Sequence, residues 1–125
     1  AKFMGNPIIN IFEVEKEGNI LKTRDFNIDL NLLNKDRFKQ DLSENKYFVG
    51  IRPEYFEMSE NPLFKVKVES VELIGKDCIV NFNVNDVNSK SITDISKRVL
   101  EGDELGLDID YNGIYIFQEN GVRVY

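Results

Sequence analysis

The sequence predicts an all-β fold, a small β-barrel of short antiparallel strands with one short helix, on three observations. Apolar residues alternate with polar ones over most of the readable segments, glycine-containing turn signals separate them, and one strand changes the phase of its alternation midway. A strand with one buried and one wetted face requires a period of two, because successive side chains point to opposite sides of the sheet.

Glu17-Gly18-Asn19 marks the first reversal. Phe26, Ile28, Leu30 and Leu32 then share one face against Asn27, Asp29 and Asn31, the pattern of a half-buried strand. Residues 35–42 are the one helical stretch, with Asn34 as N-cap and Phe38 and Leu42 one turn apart. Residues 47–51 form the next strand, and Pro53 keeps Arg52 out of helical geometry, so the strand runs out extended. From Phe64 the apolar positions are Phe64, Val66 and Val68, and then Val71 and Leu73. A slip of one residue requires a β-bulge or sharp coil if both halves are to face a core. Barrels of the oligonucleotide/oligosaccharide-binding (OB) type use such a strand to serve two sheets, and a plain sandwich is the alternative. The reversal Ile74-Gly75-Lys76-Asp77 leads into Cys78, Val80, Phe82 and Val84 on one face. Residues 92–99 carry no readable period. Leu105, Leu107, Ile109 and Tyr111 make a further strand, which Asn112-Gly113 joins to residues 114–118 as a type I′ hairpin. Asn120-Gly121 repeats the device before residues 122–125.

A chain of 125 residues, 42% hydrophobic and 30% charged, is the size and composition of one globular domain, so residues 1–125 are read as a single unit. Its formal charge of -6 argues against nucleic acid or an anionic membrane surface as partner, because both need clustered cations. No run of 18 apolar residues spans a membrane. With no histidine, the commonest general base and zinc ligand is missing, and no G-x-x-x-x-G-K-[ST] or G-x-G-x-x-G motif offers a phosphate cradle. Asp108 and Asp110 share a strand face and Glu101, Asp103 and Glu104 lie near a turn, positions that read as solvated carboxylates before they read as a cation site. Cys78, the single cysteine, falls on an apolar strand face and reads as a buried thiol. No catalytic residue, metal ligand or cofactor-binding residue is therefore expected, and the chain is not expected to be an enzyme.

Three segments resemble a known family. Ala1-Lys2-Phe3-Met4-Gly5-Asn6-Pro7-Ile8-Ile9-Asn10 is similar to the A-x-F-[IM]-G-x-P-x-x-N stretch that follows the nucleotide-binding domain in ATP-binding subunits of maltose, multiple-sugar and glycerol-phosphate ABC importers. Phe48-Val49-Gly50-Ile51-Arg52-Pro53-Glu54 resembles the G-I-R-P-E signature of their C-terminal regulatory domain. Val68-Glu69-Ser70-Val71-Glu72-Leu73-Ile74-Gly75-Lys76-Asp77 resembles their V-E-x-V-E-x-x-G-x-E/D strand and turn. The order and separation of the three agree with the family, and Tyr55 stands where the family has a histidine. The resemblance implies an OB-type, TOBE-like barrel acting as a non-catalytic regulatory and dimerisation domain, excised from a longer ATPase subunit. It implies as partners a second ATPase subunit in a homo- or hetero-dimer, the chain's own nucleotide-binding domain and, indirectly, the membrane-spanning subunits at the cytoplasmic face. ATP and magnesium would belong to that nucleotide-binding domain.

The shared residues give the expected interface. Phe48, Gly50 and Arg52 lie on one strand face, where the glycine leaves a notch between an aromatic and a guanidinium, and Glu54 is available to pair with Arg52. Phe3, Gly5 and Pro7 make a stiff lead-in, residues 1–7, from the nucleotide-binding domain, with Asn10 closing the motif. Two other functions compete. One is a module binding a small oxyanion between paired units, as some TOBE domains do. The other is an OB-fold nucleic-acid binder using Tyr111, Tyr115 and Phe117, which the neighbouring Asp108, Asp110 and Glu119 disfavour.

Overall fold

A computed structural model describes residues 9–125, so the lead-in residues Phe3, Gly5 and Pro7 lie outside the described residues. Among the described residues, ten strands form two five-stranded sheets. The first contains β1 (Asn10–Glu17), β2 (Ile20–Lys22), β3 (Asn27–Asp29), β4 (Lys46–Ile51) and β10 (Ile114–Phe117), in the order β10-β4-β1-β2-β3. The second contains β5 (Phe56–Met58), β6 (Phe64–Ile74), β7 (Asp77–Val84), β8 (Val87–Asp94) and β9 (Glu104–Ile109), in the order β5-β9-β6-β7-β8. Every pairing between these strands is antiparallel, and the two curled sheets enclose one core, an all-β OB-like arrangement.

The phase slip has the predicted cause. The register of β6 against β7 shifts between Val68 and Ser70, a β-bulge. Before it, Phe64 to Lys67 pair with β9; after it, Ser70 to Ile74 pair with β7. Val68 holds the corner, donating to the Asp103 carbonyl at 2.8 Å and accepting from Gly102 at 2.9 Å. The bend lets one strand serve two partners. The slip does not bury every apolar residue, since Leu73 stays 65% exposed at the far end.

Five phenylalanines tie the sheets together. Phe56 meets Phe12, Phe64 and Phe82 edge-on, and Phe26 stacks on Phe64 with centroids 5.2 Å apart. Each buried ring contributes on the order of 2 kcal/mol through area removed from water, and edge-to-face pairing adds to it. Asn10 makes a polar tie between the sheets. Its side-chain amide donates to the carbonyls of Ile51 and Lys90, both at 2.9 Å, while its oxygen accepts from the Lys90 amide at 2.8 Å.

Three expectations need correction. Residues 35–42 are not an α-helix. Only Lys35–Arg37 make a 3₁₀ turn, capped by the Asn34 side chain as expected, after which Lys39 donates to the Val124 carbonyl and Phe38 packs on Tyr125. These tertiary contacts outcompete the two further turns a helix would need. The alternation from Phe26 to Leu32 is strand only over Asn27–Asp29. The Asp29 side chain then accepts from Asn31 and starts a 3₁₀ turn over Leu30–Leu32, so Leu32 is exposed and Leu33 is buried in its place. Asn112-Gly113 is not a hairpin. Strands β9 and β10 belong to different sheets, and Tyr111–Gly113 is a 3₁₀ crossover capped by Asp110. Asp110 therefore does not share a strand with Asp108.

Candidate functional site

The residues singled out on β4 sit on the outer face of the first sheet. The alternation of the strand buries Tyr47, Val49 and Ile51 in the core and turns Phe48, Gly50 and Arg52 outward. Gly50 is opposite Ile11 on β1 and Tyr115 on β10, and Phe48 is opposite Glu13 and Phe117. The outer face thus carries a band of half-buried Ile11, Phe48, Tyr115 and Phe117, with Arg52 beyond its end.

The notch at Gly50 is real but already filled. A Cβ there would come within 2.6 Å of Ile9 Cδ1, 3.2 Å of Phe117 Cε2 and 3.3 Å of Ile11 Cδ1. The glycine therefore admits the chain's own side chains across the sheet, which is the ordinary use of glycine in a strand interior. Asn10 is likewise buried and occupied by its inter-sheet hydrogen bonds.

Arg52 takes a different partner from the one expected. Its Nε donates to the Tyr115 hydroxyl at 3.2 Å, and its guanidinium carbon lies 5.3 Å from the ring centroid. The hydrogen bond it donates to the phenol oxygen holds the guanidinium pKa above its ordinary value, with a smaller electrostatic contribution from Glu54 in the same direction. No ion pair joins Arg52 to Glu54 among the described residues, and Glu54 points into solvent from the 3₁₀ turn Pro53–Tyr55.

Sequence reasoning missed the rest of the cluster. Arg123 also faces Tyr115, its guanidinium carbon 4.9 Å from the centroid, and Arg37 lies 5.4 Å from Tyr115 and 4.1 Å from Tyr125. Arg37 is committed to the chain, donating to the Ile114 carbonyl at 2.9 Å. Three arginines on one tyrosine come from three separate segments, and no spacing in the sequence links residues 37, 52 and 123. Ile9, Arg52, Tyr115, Phe117 and Arg123 line a surface pocket of about 230 Å³. Among the described residues, no group of three or more His, Cys, Asp or Glu side chains is placed to hold a metal ion, and no helix is long and apolar enough to cross a membrane.

No family model matches the chain. It is 30% identical to an sn-glycerol-3-phosphate import ATP-binding protein of Psychromonas ingrahamii, over 94% of the chain and 32% of that protein. It is 27% identical to a sulfoquinovosyl glycerol transport ATP-binding protein of Agrobacterium fabrum, over 97% of the chain and 34% of that protein. The chain spans about a third of the length of these curated relatives, and the matched part is C-terminal in them. With an OB-like fold and near-complete coverage by that region, the chain is a homologue of the ATP-binding subunits of sugar-importing ABC transporters and corresponds to their C-terminal part.

Proposed function

We propose that the chain acts as a non-catalytic regulatory and dimerisation domain within the ATP-binding subunit of an ABC importer for a carbohydrate-type solute. The observation that carries this reading is the match of nearly the whole chain to about a third of two such subunits. Its own sequence has no phosphate-binding loop, so nucleotide and magnesium are handled by a separate nucleotide-binding domain. The working surface is the outer face of β10, β4 and β1, where half-buried aromatic side chains lie beside arginines, a composition enriched at protein interfaces. Its partners are a second ATP-binding subunit and the attached nucleotide-binding domain. Through them it is held peripherally at the membrane-spanning subunits.

The test places Phe48→Glu in the complete ATP-binding subunit. Phe48 is half-buried on the outer face, so a carboxylate there leaves the core intact and puts an unpaired charge into the contact. Sedimentation is expected to show weaker association of the subunits, with ATP hydrolysis per assembled dimer retained. Unchanged association, with a normal melting temperature, would sink the assignment of this face.

A further inference from the structure

We infer that the cavity under the connection from β3 to β4 is a binding site for a neutral, polyhydroxylated ring compound of the sugar type. Residues 30–45 make the longest connection between strands among the described residues, and their only regular structure is two single 3₁₀ turns. Connections longer than about 12–15 residues with no strand or helix of their own are uncommon, and the ordered ones usually carry function. Tyrosine hydroxyls hold this one at its start, middle and end. Tyr111 accepts from the Asp29 amide at 2.9 Å, Tyr125 from the Asn34 amide at 2.9 Å and Tyr47 from the Glu44 amide at 2.7 Å. Leu33 is buried between these points, and Lys39 donates to the Val124 carbonyl at 2.9 Å. At both ends the connection also bonds to the β1–β2 hairpin, Leu30 donating to the Asn19 carbonyl and Lys16 to the Asn45 carbonyl, each at 2.8 Å. The irregular backbone is thus fixed before any ligand arrives, which lowers the entropic cost of binding.

Between the connection and the hairpin lies an open cavity of about 340 Å³, the size of a small-molecule site. Half-buried Leu30, Phe38 and Leu42 supply its apolar surface. Asn19, Asn31 and Gln40 bring carboxamides to it, and the ammoniums of Lys16 and Lys35 are set against the Asp41 carboxylate. None of these six polar side chains makes a hydrogen bond or ion pair among the described residues, so all are available to a ligand. A carboxamide both donates and accepts, as a hydroxyl does. Three of them around an apolar surface match a ring with hydroxyls at its edge and C–H groups on its face. An anion would meet charges of both signs and no arginine, and a wholly apolar ligand would strip water from the amides without replacing its bonds. The segments that resemble the importer family, residues 1–10, 48–54 and 68–77, supply none of the lining residues, so the site does not come with that resemblance.

The experiment titrates the 125-residue chain, labelled with ¹⁵N, with glucose, maltose, glucose 6-phosphate and cyclohexanol at constant ionic strength. Backbone and side-chain amide resonances are read throughout. Saturable shifts centred on Asn19, Asn31 and Gln40 are expected with glucose and maltose. Maltose binding tighter than glucose supports a ligand of two rings, and equal binding supports one ring. Glucose 6-phosphate should bind no tighter than glucose, and cyclohexanol at least about tenfold more weakly, since it keeps one hydroxyl only. Asn31→Ala and Gln40→Ala, both at exposed positions, should each weaken sugar binding about fivefold without moving the melting temperature, as loss of a neutral hydrogen bond implies. Asn88→Ala, at an exposed amide on β8, should leave binding unchanged. Unsaturable shifts, cyclohexanol binding as tightly as glucose, tighter binding of the phosphate, or an equal loss in Asn88→Ala would overturn the assignment. The cavity is separate from the outer face that carries Phe48, so failure here leaves the interface test on the complete subunit untouched.

Discussion

At the scale of single residues, two glycines that look alike in the sequence do different work. Gly18 sits at φ +59° with open space where a side chain would go, so Gly18→Ala meets only the backbone preference and costs about 1 kcal/mol. Gly113 has no positive φ, but a Cβ there would lie 2.1 Å from Cγ and 2.4 Å from Cβ of Tyr55. Those atoms are close to the Tyr55 backbone and cannot swing aside, so Gly113→Ala is expected to cost about 2 to 3 kcal/mol as overpacking. Urea denaturation of the two variants should rank them in that order, and equal costs would show that the 3₁₀ crossover yields easily. Cys78 allows a pH test. It is buried, and desolvation raises its thiol pKa, so the folded state holds the proton more tightly than the unfolded chain does. Its contribution is fully present below the ordinary thiol pKa of about 8.5 and is lost as pH rises through the folded value. The urea midpoint should therefore fall as pH rises above about 8.5, and fall less in Cys78→Val. Identical pH profiles for the two proteins would remove the thiol from the account.

Among elements, the β7–β8 hairpin turns on Asn85 and Asp86 at φ 53° and 62°, the type I′ geometry normally given to Asn-Gly. Asp86 also pairs with Arg24, but both side chains are well exposed, and such pairs contribute little. Relief of the left-handed conformation outweighs that loss, so Asp86→Gly is expected to raise stability by about 0.5 to 1 kcal/mol. A lower melting temperature would mean that the link from this turn to Arg24 and Asp25 matters more than backbone strain. The same hairpin shows why part of the fold was legible and part was not. Strand β7 reads directly because Cys78, Val80, Phe82 and Val84 are all apolar and buried. Strand β8 was unreadable because its buried positions are Ser89 and Ser91, satisfied by hydrogen bonds to the Val87 and Phe56 carbonyls, where a binary pattern looks for hydrocarbon. The bulge was visible because it shifts the phase of apolar residues. The Asn112-Gly113 hairpin was misread because a local turn signal cannot say which sheet the next strand joins. Within the site, Arg52 was identified from its strand, but Arg37 and Arg123 meet it only after three distant segments have folded.

For the whole molecule, what must hold is the junction between the two curled sheets, which the phenylalanine cluster fills and Asn10 ties. The Asn10 side chain donates to backbone carbonyls on both sides of that junction, Ile51 on β4 and Lys90 on β8, and accepts from the Lys90 amide. Because it is only 4% exposed, water cannot readily replace it. Asn10→Ala therefore leaves one amide and two carbonyls without these partners, at a cost of about 2 to 3 kcal/mol. Asn10→Asp keeps the shape but not the chemistry. Its carboxylate can still accept from the Lys90 amide, while the two carbonyls face a negative charge in place of a donor. The aspartate should therefore be worse than alanine at pH 7, and it should regain stability as pH falls and the carboxyl acquires a proton to donate. Urea melts of both variants at pH 7 and about pH 5, followed by tyrosine fluorescence because the chain has no tryptophan, test that crossing. If aspartate matches wild-type stability at pH 7, the sheets are held by the aromatic cluster alone, and Asn10 is only an occupant of the seam.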